Sequence, residues 1–153
     1  MKKITYLIIV VAATMIVACG GGDGQSRKDK ILAKSVKDPY QNWQEYKGVG
    51  PIKDLTLPEQ VDAQLASKGL EIFDSKCTAC HKAEKKFIGP APKDILSRRN
   101  PEWIMNMILA PEKMVAEDPI AKKLLVEFNG SPMANQNLTE EEARAVLEYF
   151  RTL

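Results

Sequence analysis

The sequence predicts an all-α fold, and three observations predict it. Nowhere do apolar and polar residues alternate over a strand's length between turn signals. Four segments either show apolar residues at helical spacing or open on helix-capping residues. The run Cys77-Thr78-Ala79-Cys80-His81 puts two thiols and an imidazole within little more than one helical turn, so one helix end presents all three together.

The first helix is expected over about residues 58–80, with Lys68-Gly69 as the point where it would break. The second opens on Asn100 as N-cap, with Pro101 at its first position, and ends before Pro111. It carries Trp103, Ile104, Met107 and Ile108 on one face. The third covers roughly residues 118–128, with Pro119 near its start and Gly130 as its stop. The last begins at Thr139, which forms a capping box with Glu142, and Ala143, Val146, Leu147 and Phe150 make one apolar stripe. These elements place a packed domain at residues 57–153, short for a protein-only core but adequate around a large apolar group.

That group is read from the C-x-x-C-H run, the covalent haem attachment signature. Two thiols add across the two haem vinyl groups and leave two thioethers. Two intervening residues let one helical turn present both sulfurs, Cys77 and Cys80, to one edge of the ring. His81 follows directly and is the only histidine in the chain, so it is the expected proximal iron ligand. One motif implies one covalent haem c. A thioredoxin-like pair wants a βαβ setting, which is missing around these residues. A zinc site wants four ligands, and the only other cysteine is Cys19, far along the chain.

Cys19 closes an N-terminal segment of signal-peptide character. Lys2 and Lys3 precede a mostly apolar stretch to Ala18, short for a membrane span. Ile16-Val17-Ala18-Cys19 resembles a bacterial lipobox. The expected organisation is therefore a signal at 1–18, a lipidated and flexible linker at 19–56, and the helical domain at 57–153. The alternative for the first segment is an uncleaved anchor. Either way the domain lies outside the cytoplasm, on the periplasmic side of a bacterial membrane, and the lipobox reading holds it there by lipid. Tyr40, Trp43 and Tyr46 interrupt the polar linker, which leaves open whether that stretch packs on the domain or docks elsewhere.

The formal charge of +2 comes from Lys2 and Lys3, so overall charge gives no argument for nucleic acid. Its distribution is uneven. Lys76, Lys82, Lys85, Lys86, Lys93, Arg98 and Arg99 lie around and after the motif, and the last helix is acidic. The basic cluster is either a solvated face or a rim that steers an acidic partner.

From Gly69 through His81, the chain resembles the N-terminal helix and haem motif of class I monohaem cytochromes c, and the likeness extends over its last hundred or so residues. The resemblance implies the class I fold, with helices around one covalent haem c. It implies that Gly69 lets the first and last helices cross closely, with Phe73 meeting Val146 and Tyr149. It implies that the Pro90 carbonyl accepts the proximal histidine's Nδ1–H.

The sixth ligand is then a methionine, chosen from Met105, Met107, Met114 and Met133. Met105 and Met107 read as core filler and Met114 as a competitor. Met133 sits in the loop before the last helix, where the family carries its ligand. Trp103 either packs or donates its indole N–H to a propionate.

The implied function is a tethered single-electron carrier between redox proteins, with no small-molecule substrate and no enzymatic activity. The alternatives are a haem sensor or peroxidase-like protein with an open sixth position, or a docking subunit that carries haem within a larger complex. The runs Phe87-Ile88-Gly89-Pro90, Pro101-Glu102-Trp103-Ile104 and Pro132-Met133-Ala134-Asn135 are similar to small lipoprotein cytochromes associated with nitrous oxide reductase.

Overall fold

A computed structural model of the chain describes residues 38–153. The expected signal, the Cys19 lipidation site and the linker up to residue 37 lie outside the described residues. Among the described residues there are five α-helices, one 3₁₀ turn and no strand, as the all-α expectation requires. The helices are α1 (Ala63–Lys76), α2 (Pro101–Leu109), α3 (Pro111–Glu117), α4 (Pro119–Glu127) and α5 (Glu140–Phe150), with the 3₁₀ turn at Ile95–Ser97.

Helix α1 is shorter than the expected 58–80. It starts after Asp62, whose carboxylate accepts the Gln64 and Leu65 N–H groups at 2.9 and 3.0 Å. It ends at Lys76, and residues 77–80 form turns. It runs unbroken through Gly69, because this glycine serves a crossing and not a kink. A side chain there would overlap the Ala145 carbonyl of α5, so only glycine allows the two backbones so close. Beside the crossing, the Phe73 ring lies 5.4 Å from Tyr149 and 5.8 Å from Phe150, each pair contributing about 0.5–1.5 kcal/mol beyond its burial.

Helix α5 opens with the capping box expected of Thr139 and Glu142. Its Glu148 is fully buried, flanked by Arg144 and by Arg151 at 2.7 Å, and accepts the Asp62 N–H at 2.8 Å. Burial alone would raise this carboxyl's pKa. The bonds from Asp62, Arg144 and Arg151 win and hold it below the ordinary carboxylate range. Arg151 also donates to the Pro58 and Glu59 carbonyls, so the segment entering α1 is tied to the end of α5.

Three helices follow one another with a proline at the start of each: Pro101, Pro111 and Pro119. The expected Asn100 and Asp118 boundaries appear as side-chain caps of α2 and α4. Helix α3 departs from the expectation, because Pro111 both follows the end of α2 and starts a helix of its own. Met114, on α3, is fully buried, and its sulfur lies 3.3 Å from the Val49 N–H.

Residues 38–57 form a strap that lies on the helices. Asn106 of α2, fully buried, clamps it: its amide oxygen accepts the Ile52 N–H at 2.8 Å and its amide nitrogen donates to the Ile52 and Lys47 carbonyls. Asn100 donates to the Gln44 carbonyl, and Glu102 accepts the Leu55 N–H. Ile52 joins the core, while Tyr46, Val49, Leu55 and Leu57 pack against it. The packed body therefore begins well before residue 57.

Candidate functional site

An apolar cavity of about 220 Å³ opens between the segment after α1, helix α2, the loop between α4 and α5, and α5 itself. Its interior is lined by Phe73, Trp103, Ile104, Met107, Ile108, Leu124, Val146 and Phe150. A close-packed core does not keep such a void for nothing, because unfilled apolar space costs dispersion contacts and stability. The chemistry converges on the same space. Cys77, Cys80, His81, Pro90, Trp103 and Met133 all line it.

The end of α1 and the loop after it position three of these groups. The Cys77 N–H continues the helix to Phe73, and the Cys80 and His81 N–H groups fold back on the Cys77 carbonyl. The Gly89 N–H then closes on the Cys80 carbonyl at 2.8 Å, which brings Pro90 under the imidazole. His81 Nδ1 lies 2.8 Å from the Pro90 carbonyl oxygen. A carbonyl only accepts, so Nδ1 carries the proton and Nε2 keeps its lone pair for another partner. Gly89 is needed for this arrangement, since a side chain there would run into the His81 ring. Arg98 braces the same loop by donating to the Ala91 and Lys93 carbonyls, each at 2.8 Å.

Both cysteines of the motif are free, Cys80 exposed and Cys77 partly buried. Burial first, then the neighbouring Cys80, pushes the Cys77 thiol up to about 11, so it stays protonated at neutral pH. No three His, Cys, Asp or Glu side chains among the described residues form a candidate metal cluster.

Met133 is half-buried and reaches the cavity from the loop before α5. Met107 also lines it, from α2. Met114 does not, and Met105 is fully buried in the core. The Trp103 indole lines the cavity, but its N–H donates to Asp118 at 3.3 Å and is not available to a propionate. The sequence alone points to Trp103 and Arg98 without these partners and gives Asp118 only as the start of a helical segment. The signals lie in pairings 15 and 7 residues apart, which no local pattern encodes.

Lys76, Arg98 and Arg99 reach the cavity wall, Lys86 lies 4.3 Å from the ring centre of the lining Phe128, and Lys85 is exposed. Phe87 and Ile88 are 49% and 47% exposed at the same edge, with the Lys82 ammonium 5.1 Å from the Phe87 ring centre. The outcome is an apolar edge with the Lys82 and Lys86 ammonium groups beside it.

The donor set therefore fits a covalent haem: two thiols on one wall, an oriented imidazole, a thioether and an apolar slot. Comparisons with known proteins agree. The family model for cytochrome c matches residues 66–153. Cytochrome c-551 of Ectopseudomonas mendocina is 32% identical over 88 residues, 57% of this chain and 99% of that protein. The solved cytochrome c from Rhodothermus marinus is 44% identical with a TM-score of 0.67, over 75% of this chain and 96% of that one. The cytochrome c domain of the pp3183 protein from Pseudomonas putida is 26% identical with a TM-score of 0.50, over 55% of this chain and 85% of that one. The 75% shared with the Rhodothermus protein exceeds the 57% shared with cytochrome c-551, so the structural likeness reaches residues ahead of the family match.

Proposed function

We propose a function that proceeds from one established fact: the chain belongs to the cytochrome c family. Membership brings one covalent haem c and the role of an electron carrier. Beyond that, the reading is of a membrane-tethered, extracytoplasmic carrier that passes single electrons between redox proteins. Cys77 and Cys80 are assigned as the thioether residues, His81 as the proximal ligand, Met133 as the sixth ligand and Cys19 as the lipidated residue.

When bound, haem supplies a one-electron ferric–ferrous couple. The protein's own part is to hold and tune it. His81 is oriented through Nδ1–H to the Pro90 carbonyl, which fixes the ring and raises its basicity. A Met133 thioether favours ferrous iron and so raises the potential. The apolar lining keeps water away, and the lysines around Phe87 and Ile88 steer an acidic partner. Nitrous oxide reductase is the candidate partner that the sequence resemblance offers. No helix among the described residues is long and apolar enough to cross a membrane. The tethering role is assigned to lipid on Cys19 on the strength of the lipobox-like run that ends there.

The observation that carries the assignment is the convergence of Cys77, Cys80, an imidazole tied at 2.8 Å to Pro90, and Met133 on one apolar cavity. Two measurements test it. Mass analysis of the native N-terminus should find acyl chains on Cys19, and an intact Met1 without lipid would favour an uncleaved anchor. Electron transfer to an acidic partner should slow as salt rises, because exposed charges are screened beyond about 8 Å at physiological ionic strength. A salt-independent bimolecular rate would remove the steering role of Lys85 and Lys86.

A further inference from the structure

Asp118 is fully buried, and its position is unusual for a charged side chain. Oδ1 accepts two donors, the Ala121 N–H at 2.8 Å and the Trp103 indole N–H at 3.3 Å. Oδ2 is buried without a hydrogen bond of good geometry. No Lys or Arg among the described residues forms an ion pair with it. The start of α4, which Asp118 caps, supports a negative charge at this point. The strap brings the Tyr46 phenol into hydrogen-bonding reach of the same carboxylate, and burial first, then that bond and the Asp118 charge, raise the phenol's pKa, so it keeps its proton there. Arg99 lies over the other partner, its guanidinium 5.3 Å from the Trp103 ring centre.

Capping α4 alone would need neither the burial nor the indole contact. Trp103 connects this carboxylate to the cavity, whose wall it forms. We propose that Asp118 is a positioning residue for electron transfer: its buried charge holds the Trp103 indole in the cavity wall and lowers the reduction potential of the haem held there. The proposal rests on the haem-carrier reading above. The sign follows from charge alone. A fixed negative charge stabilises the more positive ferric state, and a low-dielectric setting strengthens the effect. In the sequence Asp118 only opens a helical segment, and its two neighbours here come from α2 and from the strap.

The test uses the full holoprotein and reads the midpoint potential by redox titration, with the indole N–H resonance as a second readout. Asp118→Asn keeps the shape and the capping ability, since Asn caps about as well as Asp, and removes the charge. It should raise the potential, changing the reduction equilibrium roughly tenfold, about 59 mV for one electron. The indole resonance should shift as its acceptor becomes neutral. Asp118→Glu restores the charge and should return the potential toward wild type. Asp118→Ser, a second neutral cap, carries the test if the Asn variant does not fold.

A folded neutral variant with wild-type potential overturns the proposal. So does a Glu variant that moves the potential as far as Asn does. Failure of all three variants to fold assigns Asp118 a structural role and overturns it as well. Failure of the underlying reading looks different: wild-type protein would then show no covalent haem or no reversible one-electron couple.

Discussion

The cavity has two unlike walls. On the side of residues 77–98, every turn is held by backbone bonds: His81 to Cys77, Gly89 to Cys80, and Lys93 to Ala83, at 2.8, 2.8 and 3.0 Å. Arg98 and the His81–Pro90 contact add three side-chain bonds to the same loop. On the side of residues 131–138, half of the loop that carries Met133 is exposed and none of it is fully buried. Its one bond to another element is Asn135 to the Leu109 carbonyl, at 3.5 Å. Its other side-chain bonds are local, Gln136 to Ala134 and the Asn137 N–H to Asn135. The difference teaches how such a site divides its work. One wall is built to hold its proposed ligand permanently, while the other presents a ligand from a loop with little to hold it but packing and the ligand bond itself.

The largest break in this comparison is to remove covalent attachment. Changing both Cys77 and Cys80 to Ser should make haem fully extractable under acid denaturation, whereas wild-type haem should stay with the polypeptide. Free extraction from the wild type would refute the thioether assignment.

Next in size is the rigid wall itself. Gly89→Ala forces a methyl against the His81 ring and should destabilise the holoprotein by about 1–3 kcal/mol in denaturant titration, as overpacking does. It should also disturb the proximal ligand, visible as a change in the ferrous spectrum. An unchanged spectrum and stability would mean that the wall yields more easily than its bonding indicates.

The loose wall should respond more weakly. Asn135→Ala removes its one long-range bond and should cost about 0.5–1.5 kcal/mol at most. The telling result is kinetic: exogenous cyanide should bind ferric protein faster, with the fold intact. Equal rates would show that this bond does not hold the loop.

The same contrast explains how much was legible in the sequence. The rigid wall is written locally. Cys77, Cys80, His81 and Pro90 lie within 14 residues, and the bonds joining them span short distances along the chain. The caps at Asn100 and Thr139 were legible for the same reason, since a cap is a contact two or three residues long. Helix α3 was lost because a proline that ends one helix also starts the next. The strap could not be read as packed, because its anchors are Asn100, Glu102 and Asn106, 47 to 59 residues away. The roles of Met114 and Trp103 were left open for a like reason. Met114 lies against Val49 and Trp103 against Asp118, and neither pairing leaves a periodic signal.

The central claim is that Met133 completes a six-coordinate carrier, and the ferric absorption spectrum tests it most directly. Wild-type protein should be low-spin, show the weak sulfur-to-iron absorption toward the red, and bind carbon monoxide poorly when reduced. Met133→Ala should abolish that absorption, lower the potential and admit carbon monoxide readily, while Met114→Ala, in the core beneath the strap, should leave these properties intact. Loss of the absorption in the Met114 variant alone would move the ligand and keep the carrier. High-spin ferric iron and free carbon monoxide binding in the wild type would contradict the account and favour a sensor or peroxidase-like protein with an open sixth position.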